Sequence, residues 1–558
     1  MSDLVPNVSQ SSFSGGMNLF SEDHDLQDNE YRVGFNVRNL TGALNCIKSP
    51  LQLDAPVGLK QGIYGFNRYL LLFSGGSAYY SIPDSTGNIT GWIQIEGFFL
   101  NPFVDYIYAQ PVPASTSNLL RKLDNSSQIN GSNVNPVLSI SNITINGTLA
   151  GLVCQDGISQ PFLIKSDGTV KRTQNFFDWK QDNAREYVPV GLNMAYLNGI
   201  LFIVSPDRKR LYRSVSGRPL DFVVNVTQSG DKGGNAETVS YAVSQEDITC
   251  LTPLNSGELF VGTIDGCFPL QLNYDSTIFQ EPTFINKDGL SAGVINQWSF
   301  VNILGDYAFI DADGMRSFNA VRQLTDEGRD SVFSQYISSI LLGVTQSNIA
   351  SAAIVYRGHA YFAVTTIYGP SVLVFNMITQ KWVSVDVFEN ITSIKQFAIV
   401  KQASNPQLYF ITSKGVYMYY GGEEFVKGRV RIKSAISGNA QVELKLRAVR
   451  AVFNESDDRS TVTATEVKNG IIGAKVNDTF GAGRTFGIQY PVTYPVNYIS
   501  DTSVDNIHFN FESLNTAGWK VGAELEWQNN AKLVQVQFDL DKLTSQTNYR
   551  QQAKTFAI

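Results

Sequence analysis

The sequence predicts an all-β chain: a β-propeller of six to eight blades, a C-terminal β-sandwich-like domain and one inserted amphipathic helix. Three observations predict it. Aromatics make up 12% of the 558 residues, as 34 Phe, 25 Tyr and 6 Trp beside 46 Gly, a mix that favours strands joined by tight turns. Charged residues are 17% and hydrophobic residues 43%, which excludes intrinsic disorder and the Ala/Glu/Lys/Leu-rich pattern of coiled coils. The third is a hairpin phrase that recurs along most of the chain.

In chain order, residues 1–50 are expected to form an extended N-terminal arm. From 51 to 422 an apolar strand, a Gly/Asp/Asn turn and a Tyr/Phe/Leu-rich strand alternate, the signature of a hairpin. The phrase reads RYLLLFSGGSAYYSI at 68–82, GILFIVSPDRKRLYRS at 199–214 and GELFVGTIDGCFPLQL at 257–272. It returns as DYAFIDADGMRSFNA at 306–320, HAYFAVTTIYGPSVLVFN at 359–376 and QLYFITSKGVYMYYG at 407–421. The last five turns, near 208, 266, 314, 369 and 415, are spaced 46–58 residues apart, and a four-stranded blade takes roughly 40–50 residues. Residues 84–190 keep strand character without a clear phase; one or two blades are expected there, with a polar loop around Asp124–Asn135. An ordinary β-sandwich with similarly spaced hairpins is the alternative.

The helix is expected at 330–343, DSVFSQYISSILLG, with Val332, Phe333, Tyr336, Ile337, Ile340 and Leu341 on one face. Asp330 or Ser331 would cap it and Gly343 would end it. Past Gly422 the phrase stops, and 423–558 reads as a separate β-rich domain. It would begin with a long hairpin, Lys427–Phe453, turning at Ser437-Gly438-Asn439. A turn-rich stretch, Asn454–Asn497, and alternating strands such as VDNIHFNF and KLVQVQFDL would follow.

Catalytic and metal chemistry is not indicated. Cys46, Cys154, Cys250 and Cys267 form neither a CxxC motif nor a disulfide framework. His24, His359 and His508 lie far apart and read as surface or turn residues. The FIDADGMRSF segment fails the calcium-loop test because the twelfth position from Asp311 is Arg322, not Glu. Neither cofactor nor metal is expected, and no run reaches the roughly 18 apolar residues of a membrane helix. The opening residues are polar, so a chain made in a reducing cytoplasm is expected, and N-x-S/T matches such as Asn39 and Asn390 read as turns rather than glycosylation sites.

One strand carries a sharper pattern. In EFVKGRVRIKSA, Lys427, Arg429, Arg431 and Lys433 alternate with Val426, Gly428, Val430 and Ile432, so the four cations share one strand face. Across the expected hairpin, Glu443, Lys445 and Arg447 would alternate with Val442, Leu444 and Leu446 and extend a mostly cationic face. A solvated sheet surface is one reading. A patch that meets a polyanion such as DNA, or docks on an acidic face of a neighbouring subunit, is the other.

Residues 13–50 read FSGGMNLFSEDHDLQDNEYRVGFNVRNLTGALNCIKSP. A Gly-Gly pair, an acidic stretch, an Asn-Val and a Gly ahead of a basic residue and Pro follow one another. This opening resembles that of the tail nozzle proteins (tail tubular proteins B) of short-tailed bacteriophages. It is similar also to the related packaged-DNA stabilisation proteins. The matching positions are Gly15, Gly16, Asn36, Val37, Gly42, Lys48 and Pro50; where the family often has Arg, this chain has Lys48. Segment 284–318, followed by the 330–343 helix, resembles the central propeller of the same proteins.

The resemblance implies a non-enzymatic virion protein, made in the host bacterial cytoplasm and placed in the tail. Copies would form a homo-oligomeric ring with the portal, adaptor and other tail proteins. The ring would retain packaged double-stranded DNA and pass it at ejection, with the 1–50 segment making contacts outside its own propeller. A formal charge of −7 suits passage, since each cation on a phosphate adds salt-dependent grip. Two other classes stay open: a tail receptor-binding protein or adhesin, and a propeller-type glycan-active enzyme with two carboxylates about 5–10 Å apart.

Overall fold

The computed structural model describes residues 8–544 except 40–41, 67, 114–143, 146–147, 165–169, 173–187, 215–218, 221, 223–234, 240–245, 272–284, 287–291, 304, 312–313, 319–333, 342–350, 402, 404, 438–441, 455–459, 481–506 and 513–515. Seven sheets, each built on antiparallel hairpins, follow one another around a ring. Their innermost strands are Lys60–Phe66, Tyr108–Pro113, Met194–Leu197, Ile248–Pro253, Phe300–Ile303, Ala352–Tyr356 and Gln396–Ile399. The last of these lies beside the first, which closes a β-propeller. The fifth blade has three strands among the described residues, and the others have at least four.

The mid-blade strands are apolar over most of their length because both of their faces are covered. In Tyr69–Ser74 every residue is buried. Tyr69, Leu71 and Phe73 point into a core shared with Leu152, Cys154 and Phe162 of the second blade. Leu70 and Leu72 point the other way, onto Val400, Ile411 and Val416 of the seventh. Alternation in a strand thus divides side chains between two inter-blade cores rather than between core and water. Each such Leu or Phe contributes about 1.5–3 kcal/mol by burial.

The seventh blade is completed from far away in sequence. Its outermost strand is Leu51–Leu53, antiparallel to Val416–Met418 with Val416 opposite Leu53. A strand from before the first blade therefore clasps the last, so the ring is closed by backbone hydrogen bonds.

The sixth blade does not end at its fourth strand. Lys381–Asp386 runs parallel to Val33–Phe35, which pairs in turn with Gly428–Arg431, and the sheet continues through Lys520–Trp527 and Thr461–Lys468 to Ile471–Thr479. Propeller and C-terminal domain thus share one ten-stranded sheet. The second layer is Ile507–Phe511, Val442–Asn454, Lys532–Thr544, Leu44–Cys46 and Val37–Asn39. Phe453, Phe509, Val521, Leu525, Trp527 and Phe538 fill the space between the layers, giving a β-sandwich.

Four expectations are corrected. Residues 8–50 are not a free arm: Phe13, Tyr31, Val37 and Leu44 are fully buried within the chain's own sandwich. Lys427–Phe453 is not a hairpin, since Gly428–Arg431 lies in one layer and Val442–Asn454 in the other. The stretch from Asn454 holds a long hairpin, Thr461–Lys468 with Ile471–Thr479. The helix is a single short 3₁₀ segment, Gln335–Ile340. Three residues per turn place Ser334, Ile337 and Ile340 on the buried side and leave Tyr336 exposed. The loop at Asp124–Asn135, the caps at Asp330, Ser331 and Gly343 and the turn residues Gly438 and Asn439 lie outside the described residues.

Candidate functional site

The alternating cations of the 427–433 strand all meet carboxylates. Lys427 Nζ lies 3.3 Å from Glu526 Oε1 and Arg429 Nε 3.6 Å from Glu524 Oε1, both acids projecting from the neighbouring strand Lys520–Trp527. Arg431 reaches Asp23 at 3.3 Å and Lys433 reaches Asp28 at 2.9 Å. Lys445 and Arg447 sit in the other layer, where Arg447 pairs with Asp541 and Lys445 stands opposite it in register. The six residues therefore do not form one cationic face. They form two charge-compensated surfaces, because acids distant in sequence are brought beside them.

Asp23 organises one of these surfaces. Its carboxylate, 7% exposed, faces Arg32 at 3.0 Å, Arg431 at 3.3 Å and Lys520 at 3.7 Å. Its carbonyl accepts the Ser434 N–H at 3.0 Å. The acidic stretch of the N-terminal segment is thereby fixed to the sandwich.

Where the sixth and seventh blades meet the sandwich, a cleft of about 760 Å³ opens. Lys427 and Arg429 stand on one wall, with Glu526 and Gln528. Arg429 lies over the Phe35 ring, 4.1 Å from its centroid, and Phe35 meets Tyr368 edge-on at 4.8 Å. Tyr368 is at the tip of the sixth blade's hairpin and 41% exposed. Glu389 and Asn390 come from the connection between the blades, and Gln52 and Tyr417 from the clasp. Asn36 sets the corner: its φ of 54° turns the chain from one layer to the other. Its amide donates to Lys427 O at 3.1 Å and accepts the Val387 N–H at 2.9 Å.

Arg38 and Asp386 form a sealed polar core, their side chains 6% and 0% exposed. Nη1 of Arg38 donates to Oδ1 of Asp386 at 2.9 Å, and Nη2 donates to Oδ2. Tyr419 donates to Asp386 at 2.6 Å, Ser384 does so at 2.7 Å, and Tyr420 accepts from Arg38 at 2.9 Å. Burial and the Asp386 charge push the Tyr419 phenol well above its ordinary value. Such a group holds its proton and ties three segments together rather than exchanging protons with solvent.

The axis of the propeller is occupied. Trp298 stacks on Tyr106 at 4.4 Å and on Tyr108 at 5.2 Å. Gln297 brackets Leu251 through its N–H and carbonyl at 2.8 and 2.7 Å, and Asn193 reaches Gln297 at 3.0 Å. Lys395 lies 4.5 Å from the Tyr106 ring centre. The Ala353 N–H of the sixth blade donates to Trp298 O at 2.6 Å, so four blades converge on the Gln297-Trp298 dipeptide, which sequence reading missed because it belongs to no hairpin.

Other reactive residues are placed defensively. All four cysteines are buried and free, and burial pushes the Cys46 and Cys250 thiols up to about 12. His359 is buried rather than on the surface. Asp311 pairs with Arg316 at 2.5 Å. Among the described residues no three His, Cys, Asp or Glu side chains group to hold a metal, and no helix is long and apolar enough to cross a membrane.

No protein-family model and no curated protein sequence matches the chain. Solved structures do. The extracellular domain of BT3049 from B. thetaiotaomicron is 9% identical, over 83% of this chain and 57% of that one, at a TM-score of 0.41. The extracellular domain of BT4673 from B. thetaiotaomicron is 10% identical over 68% of this chain, at a TM-score of 0.35. This chain spans only 41% of that protein. Virginiamycin B lyase from Staphylococcus aureus is 10% identical over 66% of this chain and 97% of its own, at a TM-score of 0.33. The closed ring of seven sheets, not these distant likenesses, defines the fold.

Proposed function

We propose that the chain is a structural subunit of a short phage tail, of the nozzle or packaged-DNA stabilisation kind. Copies assemble into a ring with portal and adaptor proteins, and the ring retains double-stranded DNA and then passes it. One observation carries the reading: five of the seven matching positions, Gly16, Asn36, Val37, Lys48 and Pro50, lie at the joint between propeller and sandwich. Gly16 has φ +74°, and a Cβ there would stand 2.5 Å from the carbonyl oxygen of Trp382 in the sixth blade. Asn36 turns the corner, Val37 is fully buried, Lys48 bridges to Phe425 and Pro50 lines the cleft.

A conduit subunit needs its parts joined, and the sheet shared by blade and sandwich, linked at the Val385–Phe35 pair, supports this. The compensated cations suit passage rather than grip, because a cation already paired to a carboxylate releases few counterions on meeting phosphate. With Trp298 across its axis, the propeller serves as wall, and the passage lies at the centre of the ring of copies.

Electron microscopy and native mass measurement of the purified chain, alone and with its adaptor, test the reading. A closed ring with a central channel is the expected result. A monomer under both conditions, or a fibre-like trimer, overturns it.

A further inference from the structure

The geometry points to the cleft between blades and sandwich as a binding site for a neutral oligosaccharide. This goes beyond the tail-ring reading and does not depend on it. Its volume, about 760 Å³, lies in the range of small-ligand sites. A sugar ring presents an apolar C–H face and a rim of hydroxyls, each both donor and acceptor. The cleft offers matching chemistry. Tyr368 and Tyr417 supply aromatic surface, and Gln52, Asn390 and Gln528 supply amides that donate and accept.

Charge selects among ligands. Lys427 and Arg429 are already held by Glu526 and Glu524. Glu389 and Glu424, also in the lining, have no ion-pair partner among the described residues. The free charge in the cleft is therefore negative, which disfavours phosphate, nucleic acid and acidic glycans.

A peptide strand is disfavoured for a different reason. Strand addition needs an open sheet edge, and the cation-bearing wall offers none: Gly428–Arg431 is paired on one side to Val33–Phe35 and on the other to Lys520–Trp527, which leaves only the three-residue edge of Leu51–Leu53. The walls are also fixed before any ligand arrives. Asn36 bridges both sides, and the Arg429, Phe35 and Tyr368 side chains stack in series, so little ordering cost falls on binding.

The test uses the full chain with maltohexaose, cellohexaose and N-acetylchitohexaose, and a heparin hexasaccharide as the anionic control. Saturation-transfer NMR detects contact and calorimetry gives affinity. At least one neutral hexaose is expected to saturate. Tyr368→Ala and Gln528→Ala should each weaken it by about fivefold or more, and Gln528→Ala, at an exposed position, should do so with the thermal midpoint unchanged. The proposal is overturned if no neutral hexaose saturates, if both variants bind like the parent, or if heparin binds more tightly than every neutral sugar.

Discussion

Arg38 and Asp386 are 348 residues apart in sequence and form a two-point ion pair, with side chains 6% and 0% exposed. Arg38 belongs to a strand of the sandwich, Asp386 ends the fourth strand of the sixth blade, and Tyr419 and Tyr420 follow Val416–Met418 of the seventh. One guanidinium therefore locks three parts of the fold. The arrangement is geometrically complete, because every oxygen of Asp386 has a donor.

Removing one partner leaves the other charge buried without compensation, which costs about 3–5 kcal/mol. Arg38→Ala and Asp386→Ala are each expected to lower the urea midpoint by that measure. The double replacement Arg38→Met with Asp386→Leu should recover much of the loss. A loss in the double variant equal to the sum of the two single losses would count against a coupled pair.

His359 supplies a pH dependence. Its Nδ1 lies 3.1 Å from Arg357 O, and its Nε2 meets no hydrogen-bond partner among the described residues. Burial first, and then the Arg38 charge, pull the imidazole below its ordinary value, although Asp386 acts the other way. The folded state binds this proton more weakly than the unfolded one. Its contribution to stability is therefore complete above about pH 6.5 and is lost as pH falls below that value. Denaturation midpoints between pH 5 and 7 should fall toward acid in the parent and fall less steeply in His359→Gln. Equal slopes would assign the acid sensitivity elsewhere.

The ring closure rests on a close approach. A Cβ at Gly65 would stand 2.0 Å from the carbonyl oxygen of Ile399, where the first and seventh blades touch. Gly65→Ala must push these inner strands apart, an overpacking cost of about 1–3 kcal/mol. Faster hydrogen exchange in both Lys60–Phe66 and Gln396–Ile399, with the sandwich unchanged, is the expected signature. Unaltered exchange at both strands would show that the closure can yield.

The blades were legible because a hairpin is local: RYLLLFSGGSAYY carries both strands and the turn within one phrase. The closing strand Leu51–Leu53 was not, since its partner lies more than 360 residues away and three residues carry no period. Sequence neighbours at Gly428–Arg431 and Val442–Asn454 suggested a hairpin, but sandwich strands adjacent in sequence can cross between layers. The turn dipeptide Asn469-Gly470 did mark a hairpin within the stretch read as turns. At six residues, i,i+3 and i,i+4 spacings scarcely differ, so a 3₁₀ segment passed for part of an α-helix. The cationic alternation was visible in sequence, whereas the acids that neutralise it come from residues 23–28 and 524–541.

Those acids distinguish the two halves of the cationic pattern. Arg431 and Asp23 are 19% and 7% exposed, and Asp23 also holds Arg32 and Lys520. Arg431→Glu would set a new carboxylate beside Asp23 and opposite Glu524 in register. Like charges in a partly desolvated cluster are expected to cost about 3 kcal/mol, in the manner of a broken buried pair. Arg447 and Asp541 are 61% and 37% exposed, and an exposed pair contributes about 1 kcal/mol or less. Arg447→Glu should therefore shift the urea midpoint slightly, and the shift should fade as salt shortens the screening length. The Arg431→Glu deficit should persist at high salt, because water and ions reach Asp23 poorly. If Arg431→Glu instead left stability intact, Arg431 would not be the anchor of the N-terminal segment.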